Sequence, residues 1–357
     1  MGDAVAQVRA TTATSPLPGL PQPYLLFLGD TTEPGYAKTA FGLRDWAGDR
    51  CVGEFTIAGA TVTTGLPRLS PAQAVSAGAQ SLVIGVANSG GFIPDTWIPG
   101  LVEALESGLH LISGMHIRLG DIPALREAAD RTGRKLIDVR QPPPGIPVGT
   151  GLKRSGKRLL TVGTDCALGK KYTALAIADA LRQRGVDAEF RATGQTGIMI
   201  AGGGIPMDAV VSDFAAGAAE MLTPDAPAGH WDVIEGQGSI LHPVFSGVSL
   251  ALLHGSQPDV LVVCHDPARQ RLLGDEAFVV PSVEEIIDLS LQLGRRTNPA
   301  IRVGGVSFNT ASFDDAKARK TMAAEADRLG MPVADPMRRG REFEELVDRC
   351  LAEQPAG

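Results

Sequence analysis

VGTDCALGKKYTAL (162–175) joins an apolar run to a helix-like run through a glycine-rich turn, and this junction decides the fold. The run RLLTVGTD (158–165) predicts a buried strand, and YTALAIADALRQRG (172–185) predicts an amphipathic helix. Glycines let successive backbone N–H groups surround phosphate oxygens, while the helix N-terminus and Lys170 add positive charge. The stretch therefore predicts a phosphate-binding loop at the start of a helix.

The spacing of this loop departs from the standard P-loop pattern. Five residues separate Gly163 from Gly169, one more than usual, and Lys171 stands where the pattern has the serine or threonine that binds magnesium. Thr173 is at best a displaced substitute, so phosphate binding is the firmer prediction and metal binding the weaker one. The candidate nucleotide-binding residues are Gly163, Thr164, Asp165, Cys166, Gly169, Lys170, Lys171 and Thr173.

Two simpler interpretations of the loop stay open. It could be an ordinary glycine-rich turn that carries an exposed lysine. Cys166 could be a nucleophile, because a helix N-terminus and Lys170 would lower the pKa of its thiol, or only a small loop residue.

Strand-like apolar runs recur on both sides of the loop, with helix-like runs between them. Before the loop they are YLLFLGD (24–30), SLVIGVA (81–87), LHLISGM (109–115) and KLIDVR (135–140). After it they are AEFRATG (188–194), WDVIEGQGS (231–239), DVLVVCHD (259–266) and VGGVSFN (303–309). Such alternation predicts an α/β protein with two doubly wound parallel-sheet domains.

A cluster of prolines and glycines, QPPPGIPVGTG (141–151), interrupts the alternation and predicts the domain boundary. We expect a flexible leader at 1–22, a first domain at 23–140, a linker at 141–151 and a second domain at 152–357. The leader is rich in Ala, Thr and Pro, and we expect order there only if it packs on a neighbour.

Composition and charge limit the possible functions. The 357 residues are 44% hydrophobic and have a formal net charge of −7, without the basic stripe that nucleic-acid binding requires. No apolar run is long enough to span a membrane, and no signal-peptide pattern opens the chain. Four widely separated cysteines without a C-x-x-C pair favour a reducing compartment, so we expect a cytoplasmic protein that acts on small molecules.

Polar residues follow several predicted strands of the second domain, where doubly wound sheets bind their ligands. A histidine there could deprotonate an amine, because its proton affinity lies near neutral pH. We prefer His265, which precedes Asp266, although each histidine could equally be structural. The candidates are Gln195, Ser239, His242, His254 and His265.

The first domain offers Lys38 and Arg44 after its opening strand. They are candidates to bind an anionic substrate, or they are surface charges. No G-x-G-x-x-G follows either early strand, so a nicotinamide cofactor is not expected.

The loop resembles that of dethiobiotin synthetase and its relatives, which opens with the same GTD and has the same spacing. In that group an acidic residue after a later strand contacts magnesium, and Glu235 in IEGQG (234–238) is its counterpart by resemblance. Asp213 is the other candidate carboxylate. The resemblance also implies that Asn309 selects adenine, unless it only forms an Asx turn, and that Glu235 has a functional role, unless it only caps a strand end.

The chain as a whole resembles the DgcN family. The segments that carry the resemblance are AKTAFGLRDW (37–46), GTDCALGKKYTAL (163–175), ATGQTGIMIAGGGIPMDAVVSDFAAGAAE (192–220), EGQGSILHP (235–243) and LALLHGSQPD (250–259). The family implies an N-terminal Rossmann-like domain and a C-terminal P-loop NTPase-like domain. It also implies an N-acetyltransferase that moves the acetyl group of acetyl-CoA to the amine of D-glutamate.

The loop pattern favours ATP with magnesium, whereas the family resemblance implies acetyl-CoA, and both alternatives stay open. Coenzyme A carries phosphates and an adenine that the loop and Asn309 could bind, with a histidine as the base that deprotonates the amine and Glu235 as a further catalytic candidate. An ATP-dependent ligase or kinase would instead hold magnesium with Thr173, Asp213 and Glu235. The third alternative is a nucleotide-sensing protein without enzymatic activity. A homo-oligomer is expected in each case.

Overall fold

The structure is a computed structural model that describes residues 19–88 and 90–352. Most of the predicted leader, 1–22, therefore lies outside the described residues. None of the helices in the described part of the chain is long and apolar enough to cross a lipid bilayer.

Five parallel strands form the first sheet. They are β1 (Tyr24–Gly29), β2 (Cys51–Thr56), β3 (Ser81–Ile84), β4 (His110–Ser113) and β5 (Leu136–Asp138). The helices of this domain are α1 (Lys38–Ala47), α2 (Pro71–Ser76), α3 (Ile98–Ser107) and α4 (Pro123–Thr132). The strand order is β2-β1-β3-β4-β5, and Tyr24 to Phe27 of β1 lie opposite Ser81 to Ile84 of β3. All six residues of β1 are buried, as its apolar sequence requires.

The strand β2 does not follow from the sequence pattern, because Glu54 interrupts its apolar residues. Glu54 is fully buried, and its carboxylate accepts hydrogen bonds from Thr63 Oγ1 and from the backbone N–H of Thr64, each at 2.6 Å. Buried charge is tolerated when it is hydrogen-bonded in this way. The bonding partners come from the loop after the strand, where a local hydropathy pattern does not register them.

Six parallel strands form the second sheet. They are β6 (Lys157–Gly163), β7 (Ala188–Arg191), β8 (Trp231–Ile234), β9 (Val260–His265), β12 (Arg302–Phe308) and β13 (Val333–Ala334). A small antiparallel hairpin lies in the connection from β9 to β12 and consists of β10 (Arg271–Leu272) and β11 (Asp275–Val279). The order in the main sheet is β13-β12-β9-β6-β8-β7, which places β6, the strand before the glycine-rich loop, between β9 and β8. The sequence pattern predicts neither β13 nor the hairpin.

Seven helices cover this second sheet in the described part of the chain. They are α5 (Lys170–Gln183), α6 (Gln195–Ala201), α7 (Ser212–Leu222), α8 (Ser246–Ser256), α9 (Val283–Gly294), α10 (Asp315–Leu329) and α11 (Arg341–Leu351). The prediction of two parallel-sheet α/β domains is confirmed.

The two domains pack through α1 and α6. Thr39 Oγ1 and Thr196 Oγ1 are 3.1 Å apart, and the rings of Trp46 and Tyr172 stack with their centroids 6.2 Å apart. One hydrophobic cluster contains buried residues of both domains, including Leu43 of α1 and Ile200 of α6. This packing brings the N-terminus of α1 to the glycine-rich loop of the second domain.

Candidate functional site

The loop between β6 and α5 is built around close backbone approaches. A Cβ on Gly163 would lie 2.9 Å from the carbonyl oxygen of Cys264, and Gly169 has a φ of +102°, which favours glycine. Gly169 caps α5 without a side-chain hydrogen bond. The first N–H groups of the helix are therefore oriented to bind an anion.

A cleft of 530 Å³ opens beside this loop. Three segments of the second domain line it, namely 166–172 of the loop and α5, 194–196 at the start of α6 and 235–238 after β8. Lys38 is contributed by the first domain. Two further clefts, of 660 and 830 Å³, contain no residue of the loop. The smaller cleft is thus the one that combines the anion-binding loop with charged side chains.

Glu235 is the carboxylate of this cleft. Its side chain is 4% exposed, and Oε2 accepts hydrogen bonds from the N–H groups of Thr193 at 3.0 Å and Gly194 at 3.1 Å. Gly197 of α6 allows this close approach, because a Cβ there would lie 2.2 Å from Oε2. Burial raises the pKa of Glu235, against the lowering effect of nearby Lys171. A carboxylate with a raised pKa binds a proton more readily than an ordinary glutamate does, which suits it to act as a base.

Two consecutive lysines supply the positive charge. Lys170 is buried and its Nζ donates to the carbonyl oxygen of Asp165 at 2.6 Å. Lys171 Nζ lies 4.6 Å from the centroid of the Tyr172 ring. Burial lowers the pKa of both lysines, and the charge of Glu235 works against this lowering at Lys171. Anionic phosphates in the cleft would stabilise both ammonium groups.

The carboxylate of Asp165 links the loop to the segment that follows β9 through hydrogen bonds. One carboxylate oxygen accepts from Arg269 Nη1 at 2.8 Å and from the N–H of Leu273 at 2.9 Å, and the other accepts from the N–H of Cys166 at 2.6 Å. Arg269 also donates to the carbonyl oxygen of Cys166. The sequence analysis missed Arg269 as a site residue, although its place four residues after His265, at the end of a strand, was a usable signal.

Cys166 does not have the properties of an activated nucleophile. Burial raises the pKa of its thiol, and this effect exceeds the lowering by Lys170. Of the two interpretations of Cys166, a raised pKa favours the small loop residue over the nucleophile.

His242 lies under the same loop and is 2% exposed. Its Nδ1 accepts from the N–H of Val244 at 3.1 Å, so the neutral ring carries its proton on Nε2. Nε2 lies 3.7 Å from Asp165 Oδ1, and with Cys166 these groups are close enough to surround a metal ion. A protonated Nε2 donates and cannot coordinate, which argues against metal binding here.

The other two candidate histidines, His265 and His254, lie away from the 530 Å³ cleft. His265 Nδ1 is 2.9 Å from Thr164 Oγ1 at the end of β9, and burial lowers the pKa of this histidine. His254 is in the last turn of α8, where Nε2 lies 3.2 Å from the carbonyl oxygen of Leu293. None of the three histidine side chains lines the 530 Å³ cleft, whereas Glu235 does.

The predicted magnesium ligands do not converge. Thr173 Oγ1 is buried against Ser307 Oγ at 2.8 Å, within the sheet side of α5. Asp213 is exposed in the first turn of α7 and does not line the cleft. Of the three predicted ligands, only Glu235 lines the cleft, together with Lys170 and Lys171. Mg²⁺ requires oxygen ligands in octahedral geometry, so this donor set does not fit it.

The remaining predicted substrate residues divide into two groups. Lys38 and Gln195 line the cleft from opposite domains. Arg44 lies in the last turn of α1, where it pairs with Asp45 and donates to the carbonyl oxygen of Thr64 at 3.1 Å. Ser239 is buried at the wall of a small neighbouring cavity.

Asn309 follows β12, as expected of the adenine-binding residue. Its Oδ1 accepts from the N–H of Ala311 at 3.2 Å, which is the Asx turn considered above. Its backbone N–H donates to the carbonyl oxygen of His265 at 2.8 Å. These contacts fix the strand end, and base recognition by Asn309 stays a prediction.

Fold and site together define a two-domain α/β protein with a modified P-loop at the cleft between its domains. Residues 53–142 match the model of a domain of unknown function described as the DUF1611_N Rossmann-like domain, and residues 147–347 match the DUF1611_C P-loop domain. The chain belongs to the DUF1611 family, and the resemblance to the DgcN family is confirmed.

Relatives with assigned names match nearly the whole chain. A D-glutamate N-acetyltransferase of Tritonibacter scottomollicae is 48% identical over 330 residues, which are 92% of this chain and 98% of that protein. A D-glutamate N-acetyltransferase of a Pseudoalteromonas species is 45% identical over 318 residues, 89% of this chain and 96% of that protein. The crystal structure of a DUF1611 family protein from Anabaena variabilis is similar with a TM-score of 0.79 and 33% identity, covering 92% of this chain and 98% of that one.

Proposed function

We propose that this chain is a D-glutamate N-acetyltransferase that takes its acetyl group from acetyl-CoA. The observation that carries the proposal is the 48% identity with a D-glutamate N-acetyltransferase over 92% of the chain, through both domains and the cleft between them. An N-acetyltransferase requires an acetyl donor, and the anion-binding loop suits a donor that carries phosphates. The four cysteines are free, which supports a reducing, cytoplasmic location.

The loop and α5 would bind the phosphate groups of coenzyme A. Coenzyme A carries a pyrophosphate and a 3′-phosphate. The N-terminus of α5, whose N-cap Gly169 has no side chain to accept its N–H groups, presents those groups to such anions. Lys170 is held over the loop by the carbonyl oxygen of Asp165 and adds a charge that is removed from water. These contacts need no phosphoryl transfer.

Glu235 would be the catalytic base. The ammonium group of D-glutamate must lose a proton before its nitrogen can attack the carbonyl carbon of the thioester. The Glu235 carboxylate accepts one proton from the ammonium group, and the nitrogen then forms the C–N bond. The C–S bond breaks, and the departing thiolate of coenzyme A takes up the second proton that the nitrogen loses. Two N–H groups hold Oε2 of Glu235, so the carboxylate keeps one orientation during this transfer.

Lys38 and Gln195 would bind the carboxylates of D-glutamate. They line the cleft from the two domains, together with Glu235. A flexible ammonium and a side-chain amide suit a small dicarboxylate, because both donate hydrogen bonds to oxygen. The substrate would thus lie between the domains, with its amine towards Glu235.

The test is detection of N-acetylglutamate by mass spectrometry after incubation of the purified protein with acetyl-CoA and D-glutamate, without ATP and without divalent metal. We expect product from D-glutamate, little from L-glutamate, and a large loss of product in Lys170→Ala. The absence of product, together with ADP release once ATP and magnesium are supplied, would support an ATP-dependent ligase instead.

A further inference from the structure

Lys171 occupies the position of the metal-binding hydroxyl in this P-loop. It directly follows Gly169-Lys170 and lies in the first turn of α5, where the standard loop has serine or threonine. Its side chain lines the cleft together with Lys170 and Glu235. A cationic group therefore stands where the standard loop directs an oxygen towards magnesium.

No other hydroxyl of α5 replaces the missing one among the described residues. Thr173 turns its hydroxyl to Ser307 of β12, at 2.8 Å, and both side chains are buried. Tyr172 packs on Trp46 of α1. The helix thus presents two ammonium groups and no aliphatic hydroxyl to the cleft.

Glu235 lines the same cleft as Lys171. Its Oε2 is fixed by two N–H groups, and the positive charge of Lys171 acts on the same carboxylate. In the dethiobiotin synthetase group, the carboxylate that corresponds to Glu235 contacts magnesium. Here an ammonium group carried by the chain is within its electrostatic reach.

We propose that the ammonium group of Lys171 takes the place of the divalent cation, so that this P-loop binds the phosphate groups of its ligand without metal. The inference rests on the proposed function only for the identity of that ligand, coenzyme A. Lys171 and Lys170 together neutralise the pyrophosphate group, since both line the cleft beside the N-terminus of α5. A point charge of this kind is a common phosphate-binding group.

The test compares binding of coenzyme A and of ADP to the full-length protein by calorimetry, in EDTA and in magnesium. We expect the affinity of the natural chain to be the same in both buffers. Lys171→Met should weaken binding roughly tenfold to hundredfold in both, because one charge-assisted contact is lost. Lys171→Ser should weaken it equally in EDTA and regain affinity in magnesium, because it restores the hydroxyl.

Lys320→Met is the matched control, because Lys320 is exposed on α10 and its replacement changes the net charge by the same amount. Binding of either ligand that requires magnesium in the natural chain, or failure of both to bind in either buffer, would overturn the inference. Metal-independent binding of ADP without binding of coenzyme A would support it and would instead count against the acetyl-CoA proposal. Acetylation of D-glutamate is measured separately, so the two proposals fail independently.

Discussion

At the scale of single residues, the cleft contains one carboxylate whose environment differs from that of an ordinary surface glutamate. Glu235 is buried, receives two N–H groups on Oε2 and faces Lys171. The three histidines that the sequence suggested as bases are engaged by Val244, Thr164 and Leu293 and do not line this cleft. Glu235 is therefore the base that we propose.

Glu235→Gln should lower kcat/KM for D-glutamate by roughly 10²- to 10⁴-fold, because the general base is lost while the amide oxygen still accepts the two N–H groups. In the natural enzyme, kcat/KM should fall as pH falls through the pKa of Glu235. Because burial raises that pKa, the fall should occur at a pH above the usual range of a glutamate. A pH–rate profile measured by release of free coenzyme A checks both points.

The control for this substitution is Glu103→Gln, which changes an exposed carboxylate on α3. It should leave both the rate and the pH profile as they are. Coenzyme A should still bind to Glu235→Gln. If kcat/KM of Glu235→Gln still fell at low pH with the same midpoint as in the natural enzyme, the base would be another group.

At the scale of elements, much of the architecture follows from the sequence. The run YLLFLG (24–29) is buried and largely apolar, and RLLTVG (158–163) is mostly buried with an apolar majority, so their strands were predictable. β2 was not, because Glu54 is satisfied by Thr63 and Thr64 only in the folded chain. The short β13 offers too few residues for a pattern.

The same limit applies to the site. The glycine-rich loop is contiguous and therefore visible in the sequence, as is Glu235 at a strand end. The contacts that decide between candidates are long-range, such as Thr173 with Ser307 and Arg269 with Asp165. They depend on strand order, which hydropathy and spacing do not specify.

Gly197 lies where helix α6 contacts the carboxylate of Glu235. A Cβ there would lie 2.2 Å from Glu235 Oε2, so Gly197→Ala must displace either the helix or the carboxylate. We expect a loss of about 1–3 kcal/mol in the free energy of unfolding and a fall in kcat. Denaturant unfolding and the coenzyme A release assay measure the two effects.

Gly247→Ala is the matched control, since it also replaces a helical glycine but meets no atom within 4 Å. It should stabilise the protein by about 0.4–1 kcal/mol and leave kcat unchanged, because alanine is the better helix former. Equal effects of the two substitutions would mean that Gly197 matters only as a helix residue.

At the scale of the whole molecule, the site depends on how the domains pack. The loop, Glu235 and Gln195 belong to the second domain, whereas Lys38 belongs to α1 of the first. The α1–α6 contact includes Thr39 with Thr196, and a hydrophobic cluster continues across it. Substrate binding, but not binding of coenzyme A phosphates, should therefore respond to changes at the domain contact.

Trp46→Ala tests this dependence, because the Trp46 ring stacks on Tyr172 across the domain contact. Loss of the half-buried indole should cost about 1–2 kcal/mol of stability. The KM for D-glutamate should rise because α1 also carries Lys38, while the Kd of coenzyme A, bound by the second domain alone, should change little. Phe92→Ala, which removes an aromatic ring that is 52% exposed, should change neither constant. If Trp46→Ala weakened both ligands equally, the disturbance would have reached α5 through Tyr172, and the division of substrate binding between the domains would be wrong.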